Sequence, residues 1–79
     1  MKALVYVTLK KSVLDPQGKT IQGALKKLGY SAVADVRQGK YFELEIADTD
    51  PQQARSEVEK IAREVLTNPV IEEFHYSLE

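Results

Sequence analysis

Gln38-Gly39-Lys40-Tyr41-Phe42-Glu43-Leu44-Glu45-Ile46 decides the fold. Phe42, Leu44 and Ile46 alternate with Tyr41, Glu43 and Glu45, the period of two that marks a strand with one buried and one wet face. Gly39 can supply the positive φ of a tight turn. Residues 31–38 and 40–47 therefore read as a hairpin. Its first arm, Ala32 to Arg37, is weaker and more mixed, which suits a sheet edge.

On the N-terminal side, Asp15-Pro16 reads as a helix start. Asp is a good N-cap, and proline fits the first helical position because its missing N–H has no partner there. Ile21, Ala24, Leu25 and Leu28 keep helical spacing. Lys26 and Lys27 sit where the dipole favours cations, and Gly29 is placed to end the helix in the left-handed region. Before it, Lys2 to Leu9 is a strand-like run: Ala3, Val5, Val7 and Leu9 fall on one face, Leu4, Tyr6, Thr8 and Lys10 on the other.

On the C-terminal side, Asp48-Thr49-Asp50-Pro51 repeats the capping pattern, with Gln53 three residues after Asp50. Ala54, Val58, Ile61, Ala62 and Val65 form a helical stripe, and Asn68-Pro69 stops it. Val70 to Leu78 is the last strand. Val70, Phe74, Tyr76 and Leu78 share one face with Glu72, and Ile71, Glu73 and His75 share the other.

The order strand, helix, strand, strand, helix, strand predicts an α+β fold over a single domain, residues 1–79. Its simplest closure is ferredoxin-like βαββαβ, a four-stranded antiparallel sheet with two helices on one face. The other face stays uncovered. Leu4, Tyr6 and Tyr41, with Ile71 or Val33, would lie there as a surface for self-association.

Composition narrows the function. Eleven Lys and Arg against twelve Asp and Glu leave a net charge of −1, so no bulk positive charge attracts nucleic acid or anionic lipid. No Cys is present, which excludes disulfides, thiolate metal sites and a Cys nucleophile. No run approaches the ~18 apolar residues of a membrane span. The N-terminal run has no cleavable signal pattern, and a cytoplasmic location is expected.

Catalytic constellations are weak. His75 is the one imidazole. Ser77 points the same way along the strand, but the pair has no positioned acid and is not a triad. Glu43, Glu45, Glu72 and Glu73 read as solvated strand-face charges or oligomer salt bridges. Gly18-Lys19-Thr20 lacks the upstream glycine of a phosphate loop, since Val13 stands there. Val5-Tyr6-Val7 with Tyr41 echoes the exposed aromatics of RNA-recognition motifs, but Glu43 and Glu45 share that face and oppose a polyanion. An RNA-binding module is thus a distant alternative. A stand-alone ACT-like small-molecule-sensing domain is a nearer one.

Two segments are more specific than this pattern. One is Val13-Leu14-Asp15-Pro16-Gln17-Gly18, followed by Ala24-Leu25 and Leu28-Gly29-Tyr30. The other is Asn68-Pro69-Val70-Ile71-Glu72, with Gly39-Lys40 between the two. In this order and at this chain length they resemble the PurS family, the small subunit of formylglycinamide ribonucleotide amidotransferase, also called phosphoribosylformylglycinamidine synthase. The resemblance spans nearly the whole chain.

What it implies is a subunit without catalytic residues of its own. The large subunit, PurL, uses ATP and Mg, and the glutaminase subunit, PurQ, releases ammonia. The small subunit associates with itself as a homodimer or larger and helps join the other two in de novo purine biosynthesis. No cofactor is expected on this chain, and neither nucleic acid nor membrane is an expected partner. Asp15, Pro16, Gln17, Gly18, Asn68, Pro69, Val70, Ile71 and Glu72 are the expected contacts with partner subunits. His75 carries no role in that resemblance.

Overall fold

Among the described residues, three strands and two α-helices fold in the order β1 (Lys2–Leu9), α1 (Pro16–Lys27), β2 (Gly39–Glu45), α2 (Pro51–Ile61) and β3 (Glu72–Leu78). They are seen in a computed structural model that describes residues 1–47 and 50–79. Asp48 and Thr49, the first half of the second capping segment, lie outside the described residues.

Both helix starts form as the sequence indicates. Asp15 caps α1, its Oδ1 accepting from the Gly18 N–H at 2.9 Å, and Asp50 caps α2, its Oδ1 accepting from the Gln52 N–H at 3.1 Å. Gly29 ends α1 with φ at 96°, a conformation that costs a residue without a Cβ little.

β1 lies at the centre of an antiparallel sheet of order β2-β1-β3. Val5 sits opposite Phe42 on one side and Tyr76 on the other. β2 and β3 are both antiparallel to β1, so they run parallel to each other with β1 between them, joined by α2. That is one split βαβ unit.

α2 covers one sheet face. Ala3, Val5 and Val7 from β1 meet Val58 and Ala62, all essentially inaccessible, with Phe42, Leu44, Phe74, Tyr76 and Leu78 around them. The largest fully buried side chains are valines, so the core is thin. Tyr76 ties β3 to α2 by donating to Glu59 Oε1 at 2.8 Å.

One helical position departs from expectation. Val65 was placed on the inward stripe, yet it is 74% exposed. The chain widens into a π-turn over Ala62–Leu66. The wider turn carries Leu66, four residues after Ala62, onto the core and turns Val65 outward.

The larger correction concerns the hairpin. Residues 31–38 form no strand, and among the described residues the sheet has three strands rather than four. The segment instead returns along α1. Gln22 Nε2 donates to the Ala34 carbonyl at 2.7 Å, Lys19 pairs with Asp35 at 3.8 Å, and Gly18 packs against the Val36 carbonyl. Helix and returning segment make an arm leaving one end of the sheet. The molecule is accordingly long and flat, 49 × 25 × 14 Å. Both helices were expected on one sheet face. α2 occupies it, whereas α1 is buried only at Gly18 in its first turn.

Candidate functional site

The three segments that stood out in the sequence meet at the end of the sheet where the arm begins. Asp15 and Gln17 from the start of α1, Gln38, Gly39 and Lys40 from the start of β2, and Glu72 from the start of β3 line one cleft of about 250 Å³. No two of the three segments adjoin in sequence. The sheet register brings them together, because β1 ends between the first residues of β2 and β3.

Asp15 is the pivot. It is 3% exposed. Its Oδ1 accepts from Gly18 and its Oδ2 accepts from the Gln38 N–H at 2.7 Å. The Gln38 amide and then the Gly18 amide hold its carboxyl below the usual carboxylate range, helped by the nearby Arg37 guanidinium. Arg37 Nη2 donates to the carbonyls of Lys10 at 3.0 Å and Val13 at 3.1 Å, closing the turn that leaves β1. The β1–α1 connection and the start of β2 are thereby stitched into one rigid corner.

Glu72 does the same for the second segment. Its Oε1 accepts from the Asn68 N–H at 2.7 Å, and its Oε2 pairs with Lys40 at 3.5 Å. The Asn68 side chain accepts from the Val70 N–H at 3.2 Å, an Asx turn that sets the course of 68–72. The Lys10 N–H donates to the Ile71 carbonyl at 2.8 Å, anchoring the loop to β1. Pro16, Gln17, Asn68, Pro69, Val70 and Ile71 remain exposed around this frame. Val70, expected to share the inward face of the last strand, lies before β3 and is 78% exposed.

Leu4, Tyr6 and Tyr41 lie on the sheet face away from α2. Tyr6 stands between Tyr41, ring centroids 5.2 Å apart, and His75, stacked at 4.8 Å with the rings 15° from parallel. His75 thus completes an aromatic row across all three strands. The sequence reading gave it no role, although its place on the outward parity of the last strand was the available signal. Tyr41 donates to Glu43 Oε1 at 2.9 Å. Desolvation first, then this bond and the Glu43 charge, pushes its phenol up to about 12. Ile71 precedes β3 and Val33 sits on the arm, so neither extends the row.

Among the described residues, no group of three or more His, Asp and Glu could hold a metal ion. No described helix is long and apolar enough to cross a membrane. The geometry of the described residues offers two surfaces and a hydrogen-bonded corner.

Comparison with known proteins agrees with the motifs. The family model for PurS, phosphoribosylformylglycinamidine (FGAM) synthase, matches residues 2–79. A PurS subunit of that synthase from Mycobacterium leprae is 51% identical over 73 residues, covering 92% of this chain and 89% of the relative. The Bacillus subtilis PurS structure superposes with a TM-score of 0.86 at 45% identity, over 99% of this chain and 96% of that one. A chain in the structure of PurLQS from Thermotoga maritima superposes with a TM-score of 0.88 at 33% identity, over 96% of this chain and 93% of that one.

Proposed function

This chain belongs to the PurS family, and we propose that it works as the non-catalytic subunit that assembles FGAM synthase. In that enzyme the large subunit PurL and the glutaminase PurQ convert formylglycinamide ribonucleotide to formylglycinamidine ribonucleotide, in purine biosynthesis. ATP and Mg belong on PurL. The small chain, one domain over residues 1–79, works in the cytoplasm as a bridge. The observation that carries this reading is the likeness, over nearly the full chain, to the PurLQS structure.

The cleft corner is the proposed contact with the partner subunits. Asp15, Pro16, Gln17 and Gly18 form one wall, and Asn68, Pro69, Val70, Ile71 and Glu72 another. The roles divide by burial. Asp15, Gly18 and Glu72 hold the corner in shape through the bonds described above. Gln17, Pro69, Val70 and Ile71 present exposed atoms to a partner. Exposed Val70 and Ile71 beside polar Gln17 and Asn68 have the mixed character of a subunit interface. Leu4, Tyr6 and Tyr41, now with His75, form the proposed face for self-association.

The ferredoxin-like reading also belongs here. The three strands stand in the order that such a sheet assigns to its third, first and fourth strands. The vacant position is the outer edge of β2.

Reconstitution tests the function. PurL and PurQ from the same genome are mixed with and without this chain, and glutamine-dependent amidine formation is followed. Activity that needs the chain supports the bridge. Equal activity without it rejects it.

A further inference from the structure

Charge is segregated along this chain. Residues 10–40 carry seven Lys and Arg against two Asp, whereas residues 41–79 carry three against ten Asp and Glu. The near-neutral total therefore hides an arm and its root at +5 and a body at −7. Of the two Asp in the basic part, Asp15 is buried in the corner, and Asp35 already pairs with Lys19. The molecule is 49 Å long, several screening lengths at physiological salt. A partner docking on the arm thus meets the positive end alone.

α1 concentrates that charge. It contains no Asp or Glu. Lys19, Gly23, Lys26 and Lys27 are spaced i, i+4, i+7 and i+8, which puts them on one helix face, and all four are exposed. Lys26 and Lys27 make no ion pair among the described residues. Ile21, Leu25 and Leu28 keep helical spacing on the opposite side. Whatever covers that apolar stripe leaves the basic face free.

Gly23 supplies an independent observation. The other three glycines are explained within the chain. A Cβ at Gly18 would strike the Val36 carbonyl, a Cβ at Gly39 would strike the Val7 carbonyl, and Gly29 has a positive φ. A Cβ at Gly23 would meet nothing among the described residues, and its φ is not positive. Glycine weakens a helix interior, so α1 accepts a poorer helix at Gly23 with no return inside the fold. Bare backbone among three lysines lets a second helix come close. Phosphate groups bind at the tips of lysine side chains and gain little from a missing Cβ. A long polyanion or an anionic bilayer laid over the arm would also meet the acidic body.

We propose that the Lys19, Gly23, Lys26 and Lys27 face of α1 seats a carboxylate-bearing helix of the PurL–PurQ pair, as a second contact besides the cleft corner. The inference rests on the assembly reading and adds to it a place, a partner chemistry and a mode of contact. Opposite charge steers the encounter at the positive end, and Gly23 sets how near the two backbones come.

The test follows binding of the full chain to an immobilised mixture of PurL and PurQ from the same genome, by surface plasmon resonance. Association of the parent chain is expected to slow steeply as NaCl rises from about 50 to about 500 mM. Lys19→Gln, Lys26→Gln and Lys27→Gln together are expected to slow association about tenfold at low salt and to flatten the salt dependence. Gly23→Ala and Gly23→Leu are expected to raise the melting temperature, since both are better helix formers in open space. They are also expected to weaken capture, Leu more than Ala. A merely structural role for Gly23 would not move the two readouts in opposite directions. Variants that bind like the parent would overturn the proposal and leave the bridge standing. A parent chain that does not bind PurL and PurQ would reject the bridge and this contact with it. Loss of binding to a short single-stranded RNA in the lysine variant, with capture of PurL and PurQ unchanged, would overturn the proposal and assign the face to nucleic acid.

Discussion

Asp15 and Gln38 lie 23 positions apart in the chain and are joined by a 2.7 Å hydrogen bond from the Gln38 N–H to Asp15 Oδ2. The carboxylate that starts α1 thus also sets the direction in which the chain enters β2. Asp15 accepts with both oxygens, Gly18 on one and Gln38 on the other, so its charge is stabilised in the fold more than in the unfolded chain.

That relationship predicts an acid-sensitive corner. The carboxyl pKa is lowered on folding, first by the Gln38 amide. Its contribution is fully present above the unfolded value near 3.9 and fades as pH falls through the lower folded value. Asp15→Asn is expected to lower the thermal midpoint at pH 7 and to flatten the loss of stability below about pH 4. Parallel melts from pH 7 to pH 2 check this. An unchanged acid limb in the variant would show that Asp15 is not the group responsible.

Gly18 is buried in the first turn of α1, where a Cβ would run into the Val36 carbonyl. Backbone cannot yield as a flexible side chain does. Gly18→Ala is therefore expected to destabilise by about 1–3 kcal/mol, despite the better helix propensity of alanine. Urea unfolding measures it, and a neutral or stabilising change would mean that the arm segment moves freely away from α1.

Tyr41 is expected to ionise near pH 12, whereas an ordinary tyrosine does so near 10. Because the folded value lies above the unfolded one, the stability linked to this phenol is present below pH 10 and is lost as pH rises toward 12. Ultraviolet titration of the parent and of Tyr41→Phe isolates the phenolate signal as the difference between the two curves. A difference midpoint near 10 would contradict the Tyr41–Glu43 bond.

Tyr76→Phe removes the partly buried bond to Glu59 while leaving the ring on the core. A loss of about 0.5–1.5 kcal/mol is expected. Each kcal/mol corresponds to a fall in Tm of roughly 4–8 °C in a domain this small. Calorimetry reads this directly.

Gln17 is exposed at the cleft, so Gln17→Ala is expected to leave the melt unchanged and to weaken capture of PurL and PurQ by roughly tenfold, about 1.4 kcal/mol. Glu72 behaves differently, since its side chain is only 12% exposed and accepts from Asn68. Glu72→Ala is expected to lower the melting temperature as well as the affinity. A pull-down paired with a melt separates the two effects.

Much of this was legible from the residues. Local chemistry determined the helix starts at Asp15-Pro16 and Asp50-Pro51 and the left-handed end at Gly29. The period of two placed Ala3, Val5 and Val7 inward and Tyr6 and Tyr41 outward, and it holds wherever a strand pairs. The paired segments at 13–18 and 68–72 led to the PurS family, and their meeting at one cleft was not visible in either alone. The Val65 position failed because a π-turn changes helical phase without any marker residue.

The hairpin at 38–39 is the instructive difference. Alternation in 31–38 and 40–47 says which side chains share a face. It does not say which edge a strand pairs with, because the backbone groups that form a ladder are the same in every residue. Gly39 permits a reversal and does not compel one. The choice fell to contacts 23 to 27 residues away in sequence, where Asp15 accepts from Gln38 and Arg37 reaches the Lys10 and Val13 carbonyls. The sequence by itself therefore determined both helix starts, the inward faces of the strands that pair, and the family. Only the tertiary structure decided that the arm leaves the sheet, because that outcome rests on a few non-local hydrogen bonds that no local period encodes.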